Sequence, residues 1–217
     1  VEFKLIGKNI RKSFGRLLVF ESVNFELGVG SSLAIAGRNG SGKSTLVKII
    51  AGLLSPSSGE VIYQIDGKKI DKIDWFKYVG FVAPYLQIYD EFTGYENLEI
   101  LARIRGLKNY KEKIEDVLKR VNLYSRRYDL VRGYSSGMKQ RLKYACALLH
   151  EPILLILDEP TSNLDIEGVE MVWAIAEEQK KKGILIVATN EPEELQMCDD
   201  VINLDELKQR VRNQIVK

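Results

Sequence analysis

The run Gly37-Arg38-Asn39-Gly40-Ser41-Gly42-Lys43-Ser44-Thr45 matches the pattern G-x-x-x-x-G-K-[ST]. Such a loop works as an anion site only where a strand ends and a helix begins, so it dictates the local fold as well as the chemistry. Ser32-Leu33-Ala34-Ile35-Ala36 reads as the buried strand, and Leu46-Val47-Lys48-Ile49-Ile50-Ala51 as the helix whose N-terminus faces the anion. Gly37, Gly40 and Gly42 permit the φ/ψ values that let successive N–H groups curl around a phosphate, with Asn39, Ser41 and Thr45 completing the shell. Lys43 is placed to reach β- and γ-phosphates, and Ser44 to ligate Mg²⁺. These residues predict a site for a nucleoside triphosphate.

A second signal follows more than a hundred residues later. Ile153-Leu154-Leu155-Ile156-Leu157 is a continuous apolar run ending in Asp158-Glu159, the pattern of a buried parallel strand that delivers two carboxylates. In open α/β sheets ligands bind beyond the carboxyl ends of strands, so these acids are expected to meet the phosphates held by Lys43. Asp158 would hold Mg²⁺ through water, and Glu159 would orient or deprotonate the attacking water. A solvated acidic turn is the competing reading, and the pairing of the two motifs weighs against it.

Between these motifs, Tyr134-Ser135-Ser136-Gly137-Met138-Lys139-Gln140-Arg141 resembles the L-S-G-G-Q signature of ATP-binding cassette (ABC) ATPases, and Asp158-Glu159-Pro160-Thr161-Ser162-Asn163-Leu164-Asp165 resembles their Walker B strand and D-loop. The resemblance covers essentially the whole chain. It implies an α/β fold: a P-loop NTPase core with a RecA-like mixed sheet, an antiparallel β subdomain and an inserted α-helical subdomain. It also implies one domain over residues 1–217, with 1–84 and 150–217 forming the core and 85–149 the helical part. By the same resemblance the cofactors are ATP and Mg²⁺, and ATP lies between the phosphate loop of one subunit and the signature of a second, in a homodimer or a pair of similar cassettes. Ser135, Ser136 and Gly137 would open a helix toward the γ-phosphate. Asp165 would lie on the nucleotide side of the D-loop, and Phe14 where the family stacks an aromatic on adenine. A strand-end core position is the other reading of Phe14. No Asn/Thr-Lys-x-Asp element for guanine is present, which favours ATP.

The chain departs from the family pattern at three places. After Gly183-Ile184-Leu185-Ile186-Val187-Ala188, the switch histidine is replaced: Thr189 is followed by Asn190, which can donate to a γ-phosphate oxygen but carries no proton to transfer. Hydrolysis is expected to be slow if the histidine's role is protonic, by the roughly 10²–10⁴-fold that such groups contribute, whereas Asn190 serves if the role is only to position the γ-phosphate. The Q-loop glutamine falls on Pro84, with Gln87 as an available substitute. In the signature, Ser136 stands for glycine and Met138 for glutamine, a variant familiar in cassettes resembling the ABC-2 exporter class.

The resemblance further implies separate integral membrane permease subunits as partners and a position on the cytoplasmic face of the membrane. Tyr85, Leu86, Ile88, Tyr89 and Phe92 lie where the coupling surface would be, and read equally as a partner patch or as core between lobes. The chain begins at Val1 rather than Met, consistent with processing or trimming. No run of eighteen apolar residues occurs, so the chain is expected neither to span nor to cross a membrane by itself. With 32 basic residues against 30 acidic ones, a nucleic-acid partner is not expected. Cys146 and Cys198 have no metal spacing and read as small buried hydrophobes in a reducing compartment. His150 is expected to meet the C-terminal carbonyls of the helix after the signature, and Lys180-Lys181-Lys182-Gly183 to close a helix by charge and a glycine cap. Residues 205–216 read as a short, charged tail with some helical pattern, and as a solvated terminus. Two other functional classes stay open: a soluble cassette ATPase not coupled to transport, and a nucleotide switch with little turnover.

Overall fold

The computed structural model describes residues 2–208. Strands β1 (Phe3–Phe14) and β2 (Leu17–Gly28) form a long antiparallel hairpin. Sequence alternation marks only short pieces of it, because register shifts between Gly7 and Ile10, Ile10 and Lys12, and Lys12 and Ser13 break the inward–outward period. After the turn at residues 29–30, β3 (Ser32–Ala36) leads through the phosphate loop into α1 (Lys43–Ile50). Leu46, Val47, Ile49 and Ile50 of α1 are buried, each adding about 1.5–3 kcal/mol relative to exposure.

Strand β4 (Ser58–Ile65) pairs with β1 and turns at Asp66-Gly67 into the short β5 (Lys68–Lys69). Both turn residues have positive φ, 48° and 76°, as an Asp-Gly hairpin turn requires. The four strands make one sheet in the order β2-β1-β4-β5. Beneath it Tyr63 stacks on Trp75 with ring centroids 4.0 Å apart, and the Tyr63 hydroxyl donates to the Ile50 carbonyl at the end of α1.

Strand β6 (Val79–Val82) opens the second sheet. The chain then runs without regular structure to Thr93, so the helical region begins later than the expected residue 85. Helix α2 (Gly94–Ile104) starts at a capping box, Thr93 accepting from the Glu96 N–H and Glu96 from the Thr93 N–H. Helix α3 (Tyr110–Arg120) and helix α4 (Ser136–Leu148) pack on it around Leu98, Ile114, Leu118 and Leu142.

Strand β7 (Leu154–Asp158), helix α5 (Ile166–Lys182), strand β8 (Ile184–Thr189), helix α6 (Pro192–Leu195) and strand β9 (Asp200–Asn203) complete the fold. The second sheet has the order β6-β7-β8-β3-β9 and is parallel throughout. Every residue of β3, β7 and β8 is buried, the reason their sequences are apolar runs rather than alternations.

Gly183 caps α5 as expected, its N–H donating to the Gln179 carbonyl after the basic last turn of Lys180, Lys181 and Lys182; its backbone is extended, and a Cβ there would collide with Gln179 Nε2 and the Ile153 carbonyl, so close approach requires glycine. One expectation is corrected here. His150 Nε2 meets the Val79 carbonyl of β6 at 3.0 Å, not the carbonyls of α4. No helix among the described residues is long and apolar enough to cross a membrane.

Candidate functional site

The parallel register gathers the motifs at one edge. Asp158 pairs with Ala188, and Ala188 with Ile35, so Glu159, Thr189 and Ala36 stand one position further out, and Asn190 and Gly37 one beyond that. This edge is the carboxyl end of the sheet, where ligands of such folds bind.

Gly37, Gly40 and Gly42 have φ of 150°, 78° and 113°, a succession that turns backbone N–H groups inward. Gly42 is the N-cap of α1, and a Cβ on it would lie 2.5 Å from Val19 Cγ1 and 3.0 Å from Phe20 Cδ1. The β1–β2 hairpin is thereby seated against the loop. Phe14, at the tip of that hairpin, is 51% exposed with Lys12 Nζ 4.9 Å from its ring centroid, so it is an open aromatic face rather than core. Lys43 is only 5% exposed and donates to the carbonyls of Gly37 at 2.8 Å and Arg38 at 3.3 Å. Asn39 and Gly40 are exposed, Ser44 and Thr45 half-buried, and Ser41 buried with its Oγ unpartnered.

Asp158 is 1% exposed, and burial raises its carboxyl above the ordinary range, with Ser44, Tyr85, Lys43 and Lys48 opposing that shift. Oδ2 accepts from the Tyr85 hydroxyl at 3.0 Å, while Oδ1 is buried without a partner. With one orphan carboxylate oxygen, and with Ser44 among the groups that act on this carboxyl, Asp158 and Ser44 offer the hard, oxygen-only donors that suit Mg²⁺. Glu159 follows with φ 50°, a left-handed conformation rare for a residue with a side chain and frequent at functional sites. Its N–H is fixed on the Ala188 carbonyl at 2.9 Å.

Asn190 shares a cleft of about 490 Å³ with Gly37, Arg38, Asn39 and Asp205. Its Nδ2 donates to Glu191 at 3.0 Å. The tail is helical over 204–208, and the expectation that it is merely solvated is corrected over these residues: Asp205 Oδ2 accepts from the Arg38 N–H at 2.8 Å, and Lys208 donates to the Ser41 carbonyl at 2.9 Å. The phosphate loop is thus tied from the far side by a segment that composition had marked as solvent-facing. The rest of that stretch lies outside the described residues.

Gln87 is not part of this cluster. It lines a separate apolar cleft of about 260 Å³ with Phe81, Leu86, Ile88, Ile100 and Lys143. The side chain that does reach Asp158 from this segment is Tyr85, which motif matching missed because neither tyrosine nor its position belongs to the pattern. The five aromatic and apolar residues divide: Tyr85, Tyr89 and Phe92 are exposed, while Leu86 and Ile88 are partly buried.

Ser135 caps α4, accepting from the Met138 N–H at 3.2 Å, and with Ser136 it is exposed. Gly137 lies close under the D-loop, where a Cβ would be 3.3 Å from the Asn163 carbonyl. None of these lines the cleft at Gly37. Asp165 is engaged within its own chain, its Oδ1 accepting from the Gly168 N–H at 3.0 Å and from Arg141 at 2.7 Å, which leaves Oδ2 for any outside contact.

The comparisons fit this geometry. The family described as ABC transporter matches residues 20–162. An uncharacterized ABC transporter ATP-binding protein, YxlF of Bacillus subtilis (strain 168), is 35% identical over 96% of this chain and 74% of its own length. The lantibiotic transport ATP-binding protein SrtF of Streptococcus pyogenes is 34% identical over 84% of this chain and 78% of its own. Among solved structures, a dimeric ATP-binding cassette in a post-hydrolysis state bound to ADP and Pi superposes with a TM-score of 0.81, at 25% identity, covering 92% of this chain and 93% of that one. With its phosphate loop, acidic strand and signature in one fold, the chain belongs to the ABC transporter family as an ATP-binding cassette.

Proposed function

We propose that this cassette acts as a dimer in which each phosphate cleft is completed by the signature of a second copy, and that its ATP cycle drives a separate membrane permease. The observation that carries this reading is the exposure of Ser135 and Ser136 on the helical region, apart from the cleft around Gly37 within one chain. A helix N-terminus left open to solvent can receive a γ-phosphate only from outside its own subunit. In this reading Lys43 leaves the loop carbonyls for the β- and γ-phosphates, and Ser44 and Asp158 would hold Mg²⁺, which would supply charge neutralisation during phosphoryl transfer. Glu159 orients and deprotonates the attacking water, Asn190 donates to the γ-phosphate, and Phe14 stacks on the base.

The permease is proposed to dock at the apolar cleft that includes Gln87, with Tyr89, 65% exposed, at its margin. That places the cassette at the cytoplasmic face of a membrane through its partner. Relatives named for lantibiotic and bacitracin transport support a transporter over a soluble ATPase.

Steady-state Mg²⁺-ATP hydrolysis across a wide range of protein concentration tests the composite site, with Glu159→Gln as the blank. Activity should rise faster than linearly with protein and vanish in the variant. Strictly linear activity would refute the shared site.

A further inference from the structure

Tyr85 touches both halves of the phosphate edge. Its hydroxyl donates to Asp158 Oδ2 at 3.0 Å at the end of β7, and Lys48 Nζ of α1 lies 3.9 Å from its ring centroid. The segment that carries it is clamped from α4, where Lys143 donates to the carbonyls of Pro84 at 2.6 Å and Ala83 at 3.4 Å. Phe81 supports the ring from β6, with centroids 6.4 Å apart. Pro84 fixes one backbone angle and removes a donor just before it, so the position of the tyrosine is set by its surroundings rather than by its own rotamer freedom.

A carboxylate at a strand end can rotate about its last torsion, which is soft. A hydrogen bond to one oxygen sets the carboxylate plane and leaves the other oxygen with a defined direction, the way groups behind a metal ligand orient it. Here the bonded oxygen is Oδ2, and Oδ1 is buried without a partner.

We propose that Tyr85 is a positioning residue: its hydroxyl fixes Asp158 through Oδ2 so that Oδ1 is presented to the hydrated Mg²⁺ of bound ATP, and its ring on Lys48 ties that carboxylate to the phosphate-loop helix. The proposal rests on the reading of this edge as a Mg²⁺-ATP site.

The test is Mg²⁺ titration of ATP binding, in a Glu159→Gln background so that no turnover intervenes, for Tyr85 and for Tyr85→Phe. Phenylalanine keeps the ring on Lys48 and removes only the donor. The Mg²⁺ concentration at half-maximal binding should rise about tenfold, the scale of effects behind a metal ligand, with ATP affinity in EDTA unchanged. An unmoved Mg²⁺ midpoint would overturn the proposal. So would an equal loss in EDTA, which would make Tyr85 part of the loop's packing. A parent protein that binds ATP with no response to Mg²⁺ would remove the Mg²⁺-ATP reading itself and the proposal with it.

Discussion

Lys43 holds the Gly37 carbonyl at 2.8 Å, so the side chain proposed to grip the nucleotide closes its own loop. The ammonium is nearly buried there, and exchanging carbonyl partners for phosphate oxygens, as proposed, would keep it hydrogen-bonded throughout. Lys43→Ala should therefore act on chemistry far more than on folding. Hydrolysis is expected to fall about 10²–10³-fold, as for loss of one preorganised donor to developing charge. Stability should drop by only about 0.5–1.5 kcal/mol for the lost hydrogen bonds. Paired ATPase assays and urea melts check both, and a large loss of stability would show the lysine to be mainly a structural strut.

Glu159 presents the opposite balance. Its φ of 50° stores strain, since a left-handed residue with a side chain costs about 1–2 kcal/mol. Glu159→Gly should relieve part of that strain and raise the urea midpoint at unchanged slope, while turnover should fall by about 10²–10⁴-fold with loss of the proposed base. Glu159→Gln keeps the strain, so it should lose turnover without gaining stability. Equal midpoints for the glycine and glutamine variants would mean that the conformation is not strained.

The glycines of the phosphate loop differ in what they require. At Gly40 a Cβ would meet nothing within 4 Å, so Gly40→Ala adds only the cost of φ 78°, about 1 kcal/mol. At Gly42 the Cβ would strike Val19 Cγ1 at 2.5 Å in addition to adopting φ 113°, so overpacking adds about 1–3 kcal/mol. Thermal melts of the two variants should rank Gly42→Ala well below Gly40→Ala. Equal melting temperatures would show that the hairpin yields freely at Val19.

These cases mark what the sequence could reveal. Local signals were legible: the phosphate loop with its flanking strand and helix, and the apolar run into Asp158, are contiguous patterns whose periods survive folding intact. The full length of β1 was not legible, because its register shifts scramble the alternation that a strand should show. Contacts across the chain were invisible for a different reason. Tyr85 is 73 residues from Asp158, and Asp205 is 167 from Arg38, and no local propensity encodes such pairings. Gln87 was a candidate by residue type, yet the backbone after Pro84 directs it to the apolar cleft and Tyr85 to the carboxylate.

His150 supplies a pH dependence whose sign is fixed by its burial. Desolvation first, and then the Arg105 charge, push its imidazole down to about 4, so the folded protein keeps it neutral with Nε2–H donating to the Val79 carbonyl. In the unfolded chain it titrates near 6.5. Above about 6.5 neither state binds this proton and the stability it secures is fully present; below that pH the unfolded chain takes up the proton first. Stability is therefore lost as pH falls from about 6.5 through about 4. The size should be about 1–3 kcal/mol at the acid end of that window. His150→Gln retains a donor for the Val79 carbonyl but cannot titrate, so its stability curve should be flatter across the same window. Urea midpoints of both proteins between pH 7 and pH 4 measure the difference; parallel curves would mean that the imidazole is hydrated in the folded state and that the pocket behind β6 admits water.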